Sequence, residues 1–281
     1  MPDQNAKTIR ESVAKFYEKH GAAFARTRQF TWAEEKLITK RIQSGMTVVD
    51  VGAGNGRFAK RLPLIRGTEG VSDGIRKHLP LPLLKEAGCS YIGIEPSATL
   101  RNTADKNLDM REGALPRLKL DDKIADVTVC LAVFHHLGSE EERKASVEEL
   151  IRITKKGGLI AASAWWVATA RCPTSPIAQT PPLTPPQRGV GSEIILPLSE
   201  GEQEGVLSPP VVGSEGCDLW IPWRAEGADA KRFVHAFAEE EWKKLWTRME
   251  LEIEKIGLFG KDDWTEDPKE ARNLFVMAKR K

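Results

Sequence analysis

The chain has 281 residues, 41% of them apolar and 29% charged, with a formal net charge of +2. That is the composition of an ordinary soluble globular protein, long enough for one large domain or two small ones, and the charge alone makes no case for nucleic acid. The charge is uneven, however: 173–217 holds one Arg and five Glu, a net of −4, which leaves +6 on the remainder. A mild basic surplus of this kind is compatible with RNA. The cysteines Cys89, Cys130, Cys172 and Cys217 form no C-x-x-C pair. Zinc-ligand spacing is absent, no metal is expected, and free thiols in a reducing compartment are. No signal peptide opens the chain and no apolar run reaches the ~18 residues of a membrane span. A cytoplasmic protein is expected.

In chain order, residues 7–19 read as a helix with Ile9, Val13, Phe16 and Tyr17 on one face, and 32–42 as a second helix ended by Ser44-Gly45. Val48, Val49 and Val51 form a strand buried on both sides. Residues 63–84 mix Gly, Pro and charge without a period and read as a surface insertion. A strand at 90–94 follows, then a helix capped by Glu95-Pro96-Ser97, a short strand near 108–110, and a buried strand at 126–133. Ser139 to Glu142 is a capping box for a helix running to about Thr154. The Lys155-Lys156-Gly157-Gly158 turn leads into a strand at 159–165. Residues 173–217 carry nine of the seventeen prolines and read as a disordered insertion. A helix at 239–249 and a closing strand at 273–278 complete the chain. Strands alternating with helices predict a Rossmann-like, doubly wound and mostly parallel α/β sheet within a single domain spanning 1–281.

The most informative stretch is Asp50-Val51-Gly52-Ala53-Gly54-Asn55-Gly56. Three alternating glycines after a buried strand let a ligand approach bare backbone. A dinucleotide fingerprint would place a small residue at position 57, where this chain has Arg57. The D-x-G-x-G-x-G spacing instead resembles motif I of the class I S-adenosylmethionine (AdoMet)-dependent methyltransferases. In an open α/β sheet ligands sit beyond the carboxyl ends of the strands, and the candidates lie at such ends. Gly52, Gly54 and Gly56 are expected to pass beneath the methionine part of AdoMet. Asp50 would hold the loop or the cofactor's amino group. Glu95 would accept both ribose hydroxyls, or else cap a helix. Glu112 and Ala114 would flank the adenine, and Leu131 would wall the site. Of the adjacent His135 and His136, one packs or caps and the other faces the acceptor.

Further segments resemble the tRNA wobble-uridine carboxymethyl methyltransferase family: Arg26-Thr27-Arg28 before Trp32, Val133-Phe134-His135-His136, Ser163-Ala164-Trp165, Leu219-Trp220-Ile221-Pro222-Trp223, and Arg232-Phe233-Val234-His235-Ala236-Phe237. The resemblance implies the seven-stranded class I methyltransferase fold. It also implies methyl esterification of 5-carboxymethyluridine at the wobble position of tRNA, and in eukaryotic relatives a small zinc-binding activator subunit. Such a carboxylate is already ionised at neutral pH and needs no general base. Arg28, Arg232 and a histidine (His135, His136 or His235) would hold it, with Trp165 or Trp223 stacking on the splayed base. Glu95 and Glu112 depart from the family's aspartates, and Phe233-Val234 from its paired tyrosines. The alternatives are a small-molecule O-, N- or C-methyltransferase of the same fold and a non-catalytic AdoMet-binding module.

Overall fold

A computed structural model of the chain describes residues 4–27, 32–62, 88–166, 168–169, 194–195, 216–223 and 230–281. Arg28, the 63–84 insertion and nearly all of 173–217 lie outside the described residues.

Five parallel strands make the first part of the sheet: β1 (Thr47–Val51), β2 (Ser90–Ile94), β3 (Asp109–Arg111), β4 (Ala125–Cys130) and β5 (Thr154–Trp165). Two short segments, β6 (Ala168–Thr169) and β7 (Ile194–Ile195), pair antiparallel with each other. A second hairpin joins β8 (Cys217–Trp223) to β9 (Ala230–Ala236). Last come β10 (Leu251–Phe259) and β11 (Asn273–Arg280). The main sheet has seven strands in the order β10-β11-β5-β4-β1-β2-β3, and β11 alone runs against its neighbours.

The period-2 alternation of the strands sends one set of side chains to each face. Val49 and Val51 pack with Val147, Leu150 and Ile153 of α4 (Glu140–Ile153) and with Trp242 and Trp246 of α5 (Glu239–Thr247). Val48 goes the other way, to Ile38 of α2 (Ala33–Thr39) and to Phe58 in a short 3-10 turn at Arg57–Arg61. Helices therefore cover both faces, as the alternating pattern predicts. The remaining helices are α1 (Gln4–Thr27) and a four-residue α3 (Ala98–Arg101).

Several elements differ from the sequence reading. Helix α1 runs on to Thr27, beyond the expected end at 19. The expected turn at 155–158 lies inside β5 instead: Ala125 pairs Thr154 and Val127 pairs Leu159, so four residues bulge out, with Gly157 at φ +73°. Strand β10 was not anticipated, and a register shift between Ile253 and Lys255 breaks its alternation. Cys89 and Cys130 are buried free thiols, whereas Cys217 is disulfide-bonded, contrary to the expectation of free thiols throughout. No helix among the described residues is long and apolar enough to cross a membrane.

The N-terminus of α4 carries the anticipated cap. Ser139 Oγ accepts from the Glu142 N–H at 3.2 Å, and Glu142 Oε2 accepts from the Gly138 N–H at 2.7 Å. Ser139→Ala should lower stability by about 1 kcal/mol, read as a lower urea midpoint at unchanged slope.

Candidate active site

The glycine loop is tied to β2 from two sides. The Ile94 carbonyl accepts from the N–H groups of Gly52 (2.8 Å) and Ala53 (3.0 Å). The Glu95 carboxylate then accepts from the Gly54 N–H and from the Ser97 N–H, both at 3.0 Å. Gly52, Gly54 and Gly56 all have positive φ. At Gly52 the demand is also steric, since a Cβ there would collide with Cγ2 of Val133.

Below the loop, Asp50 accepts from the Tyr91 hydroxyl at 2.9 Å. Burial pushes the carboxyls of Asp50 and Glu95 up to about 7 each, only partly offset by these hydrogen bonds. Beside the loop, Arg57 pairs with the buried Glu35 at 2.5 Å and lies 4.0 Å over the ring of Trp32. Arg57 therefore closes one flank where a dinucleotide fold would pack a small residue.

These groups line a cavity of about 570 Å³, within the usual range of small-molecule sites. Asp50, Gly52, Gly54, Glu95, Ala114, Leu131, His136 and Trp165 all line it. Glu112 does not: its side chain is 79% exposed and turns to Arg101 at 3.5 Å. Gly113, Ala114, Leu115 and Pro116 form that wall instead. Helix α1 supplies a wall that includes Tyr17, expected on the helix's apolar face, and Phe24, beyond the expected helix end.

At the end of β4 the chain bends through Ala132, a non-glycine residue at φ +56°, whose N–H reaches Ser163 Oγ at 3.0 Å and the Ser163 carbonyl at 3.1 Å. A 3-10 turn at Phe134–His136 follows and separates the two histidines. His135 is fully buried, stacked on Trp165 at 4.4 Å, and its Nδ1 accepts from the Trp165 N–H at 3.2 Å. Its Nε2 then carries the proton of the neutral ring and has no acceptor among the described residues. His136 reaches the cavity. Its Nδ1 lies 2.8 Å from the Phe233 carbonyl and its Nε2 2.9 Å from the Tyr17 hydroxyl. Burial and the nearby Arg232 hold His136 down to about 3.

The motif Arg232-Phe233-Val234-His235 is split by strand geometry. Residues 232, 234 and 236 share one face of β9 and pack toward Trp165, while 235 lies on the other. Arg232 sits 4.4 Å over the ring of Trp165, with Phe24 at 5.6 Å and Phe16 at 5.7 Å. It is 4% exposed, pairs with no carboxylate among the described residues, and its Nε has no acceptor there. His235 instead points to Asp218, its cross-strand partner, at 2.7 Å, and to Glu241 at 3.0 Å. It clamps the hairpin to α5 and stays away from the cavity. Trp223 also packs away from it, against Phe16 and His20 of α1.

The comparisons with known proteins agree with this geometry. Residues 74–162 match the family described as Methyltransferase domain. The chain carries a class I methyltransferase domain. S-adenosylmethionine is the cofactor that this domain uses, and the cavity suits it: a buried carboxylate for sugar hydroxyls, bare backbone beside it, and apolar walls for a flat base. Over 154 residues the chain is 25% identical to the tRNA (carboxymethyluridine(34)-5-O)-methyltransferase of Arabidopsis thaliana, covering 54% of this chain and 32% of that one. Over 162 residues it is 28% identical to the enzyme of that name, alkbh8, from Xenopus tropicalis, covering 56% of this chain and 21% of that one. The chain thus spans a third or less of these relatives. Among solved structures, the methyltransferase in complex with the Trm112 activator of Haloferax volcanii superposes with TM-score 0.53 at 14% identity, over 95% of this chain and 97% of that one. An S-adenosylmethionine-dependent methyltransferase from Listeria monocytogenes gives 0.51 at 13% identity, over 89% and 98%. At these identities the solved structures speak for the fold.

The two raised carboxyls have a consequence for stability. Unfolded, Asp50 and Glu95 titrate near ~4; folded, near 7. Between these values the folded state holds protons that the unfolded chain has lost, so stability falls as pH rises through the window. The ligand-free protein should unfold at lower urea at pH 8 than at pH 5. Asp50→Asn, which keeps an acceptor for Tyr91, should flatten part of that slope.

Proposed function

We propose that the chain esterifies the carboxylate of 5-carboxymethyluridine at the wobble position of tRNA, using the methyl group of S-adenosylmethionine. The observation that carries this reading is Arg232: a buried guanidinium among aromatic rings, beside the cavity wall, with no carboxylate partner among the described residues. An unpaired buried charge is expensive, and an anionic ligand removes the penalty. The named relatives support an anionic acceptor of this kind.

In this reading Glu95 accepts the ribose hydroxyls, and Gly52 and Gly54 pass beneath the methionine portion. Ala114 and Leu131 flank the adenine. Arg232 holds the acceptor carboxylate by charge-assisted hydrogen bonds without neutralising it. Trp165 offers a face for the base. When bound, S-adenosylmethionine supplies an electrophilic methyl group. The chain's own contribution is alignment of an already ionised nucleophile, which can be worth roughly 7–11 kcal/mol. His136, kept neutral, adds no competing charge. Arg28 is a second candidate for the carboxylate, and a small zinc-binding activator subunit is a candidate partner. The likeness to a methyltransferase solved with its activator supports that second point.

The test is transfer of labelled methyl from S-adenosylmethionine to tRNA bearing 5-carboxymethyluridine, with and without an activator subunit, followed by release of label in mild base. A base-labile product on that tRNA alone is expected. Transfer to small molecules, with none to tRNA under either condition, overturns the proposal. Arg232→Met should cut transfer by about 100-fold, the loss of one or two charge-assisted hydrogen bonds. Cofactor affinity should hold within about twofold, and thermal stability should be equal or higher because a buried charge is gone.

A further inference from the structure

Tyr17 belongs to the face of α1 that closes the cavity. Its ring meets Phe16, Phe24 and His136 edge-on at 5.2, 5.2 and 5.5 Å. Its hydroxyl lies 2.9 Å from His136 Nε2 and 3.5 Å from a terminal nitrogen of Arg232. Its backbone carbonyl accepts from Ser97 Oγ at 3.2 Å, two residues from Glu95.

The direction of these bonds follows from the groups themselves. A carbonyl only accepts, so His136 Nδ1 donates to Phe233. In the neutral ring Nε2 then has no proton and accepts from the Tyr17 hydroxyl. The phenol's single proton is committed there, and its lone pairs are left for donors such as Arg232.

We propose that Tyr17 is a positioning residue for the acceptor: its hydroxyl occupies the Nε2 lone pair of His136, whose tautomer the Phe233 carbonyl sets, and it steers the guanidinium of Arg232. The part concerning Arg232 rests on the function proposed above; the bond to His136 does not. While that bond holds, the Nε2 lone pair of His136 is occupied and cannot take a proton from a substrate. An ionised carboxylate requires no such base, whereas a neutral hydroxyl acceptor does. Tyr17 therefore disfavours neutral hydroxyl acceptors relative to anions.

Tyr17→Phe tests this, since it keeps the ring and removes only the hydroxyl. In the unliganded wild type, side-chain nitrogen NMR should show His136 protonated at Nδ1 and hydrogen-bonded at Nε2. In the variant, the Nε2 resonance should shift to that of a nitrogen without a donor. With tRNA acceptor, KM should rise about tenfold while S-adenosylmethionine affinity stays within about twofold. A wild-type His136 protonated at Nε2, or an Nε2 resonance unmoved by the substitution, overturns the bond from Tyr17 to His136. An unchanged acceptor KM overturns the steering role. The NMR arm needs no substrate, so it can fail or succeed independently of the tRNA assay.

Discussion

The site is organised around one carboxylate. Glu95 stands at the carboxyl end of β2 and accepts from the Gly54 and Ser97 N–H groups. It thereby joins the glycine loop to the start of α3, and the Ile94 carbonyl reinforces the joint through Gly52 and Ala53. Parallel pairing of β1 with β2, Thr47 opposite Ser90 through Val51 opposite Ile94, brings both strand ends to the same level. Without that register the carboxylate and the loop would not meet, although Gly54 and Glu95 lie 41 residues apart. Burial raises the cost of ionising Glu95, and the two backbone donors return part of it.

Behind the Trp165 wall of the cavity, in a layer that does not itself line it, the sign is opposite. Arg232 cannot shed its proton, so burial leaves it charged. The aromatic faces around it offer cation–π stabilisation, about 2 kcal/mol for a desolvated contact. That lessens the penalty of an unpaired ion without supplying hydrogen-bond acceptors. His135 Nε2 is a second buried donor with no acceptor among the described residues. Both flank Trp165, one stacked at 4.4 Å and the other over its ring at 4.4 Å. Behind Trp165 donors exceed acceptors, whereas at Glu95 a carboxylate gathers donors.

Much of this was legible in the sequence. The glycine spacing and the acids at positions 50 and 95 pointed to the loop that lines the cavity, because strand, loop and helix there are local and their order is imposed by the chain. The far wall was harder. Tyr17 reads as one more member of an apolar stripe, and only a contact across 119 residues makes it polar machinery. The resemblance groups His235 with Arg232, but an offset of three along a strand sends two side chains to opposite faces. Glu112 was placed by analogy of position, yet at its site the side chain has water available and takes it. Strand β10 escaped notice because its bulge interrupts the alternation by which strands are recognised.

The two ends are joined by α1, which answers a geometric need. The sheet fixes Glu95 and the His135–His136 turn at the tops of β2 and β4, but nothing in the sheet fixes the ceiling above them. Helix α1 does so by side-chain bonds. Glu18 accepts from Ser97 Oγ and Thr99 Oγ1 at 3.0 and 3.1 Å, Arg10 pairs with Glu142 at 2.8 Å, and Gly21 leaves room for Leu100. These anchors fall on both sides of Tyr17, so its hydroxyl is held against His136 by a helix pinned at three places.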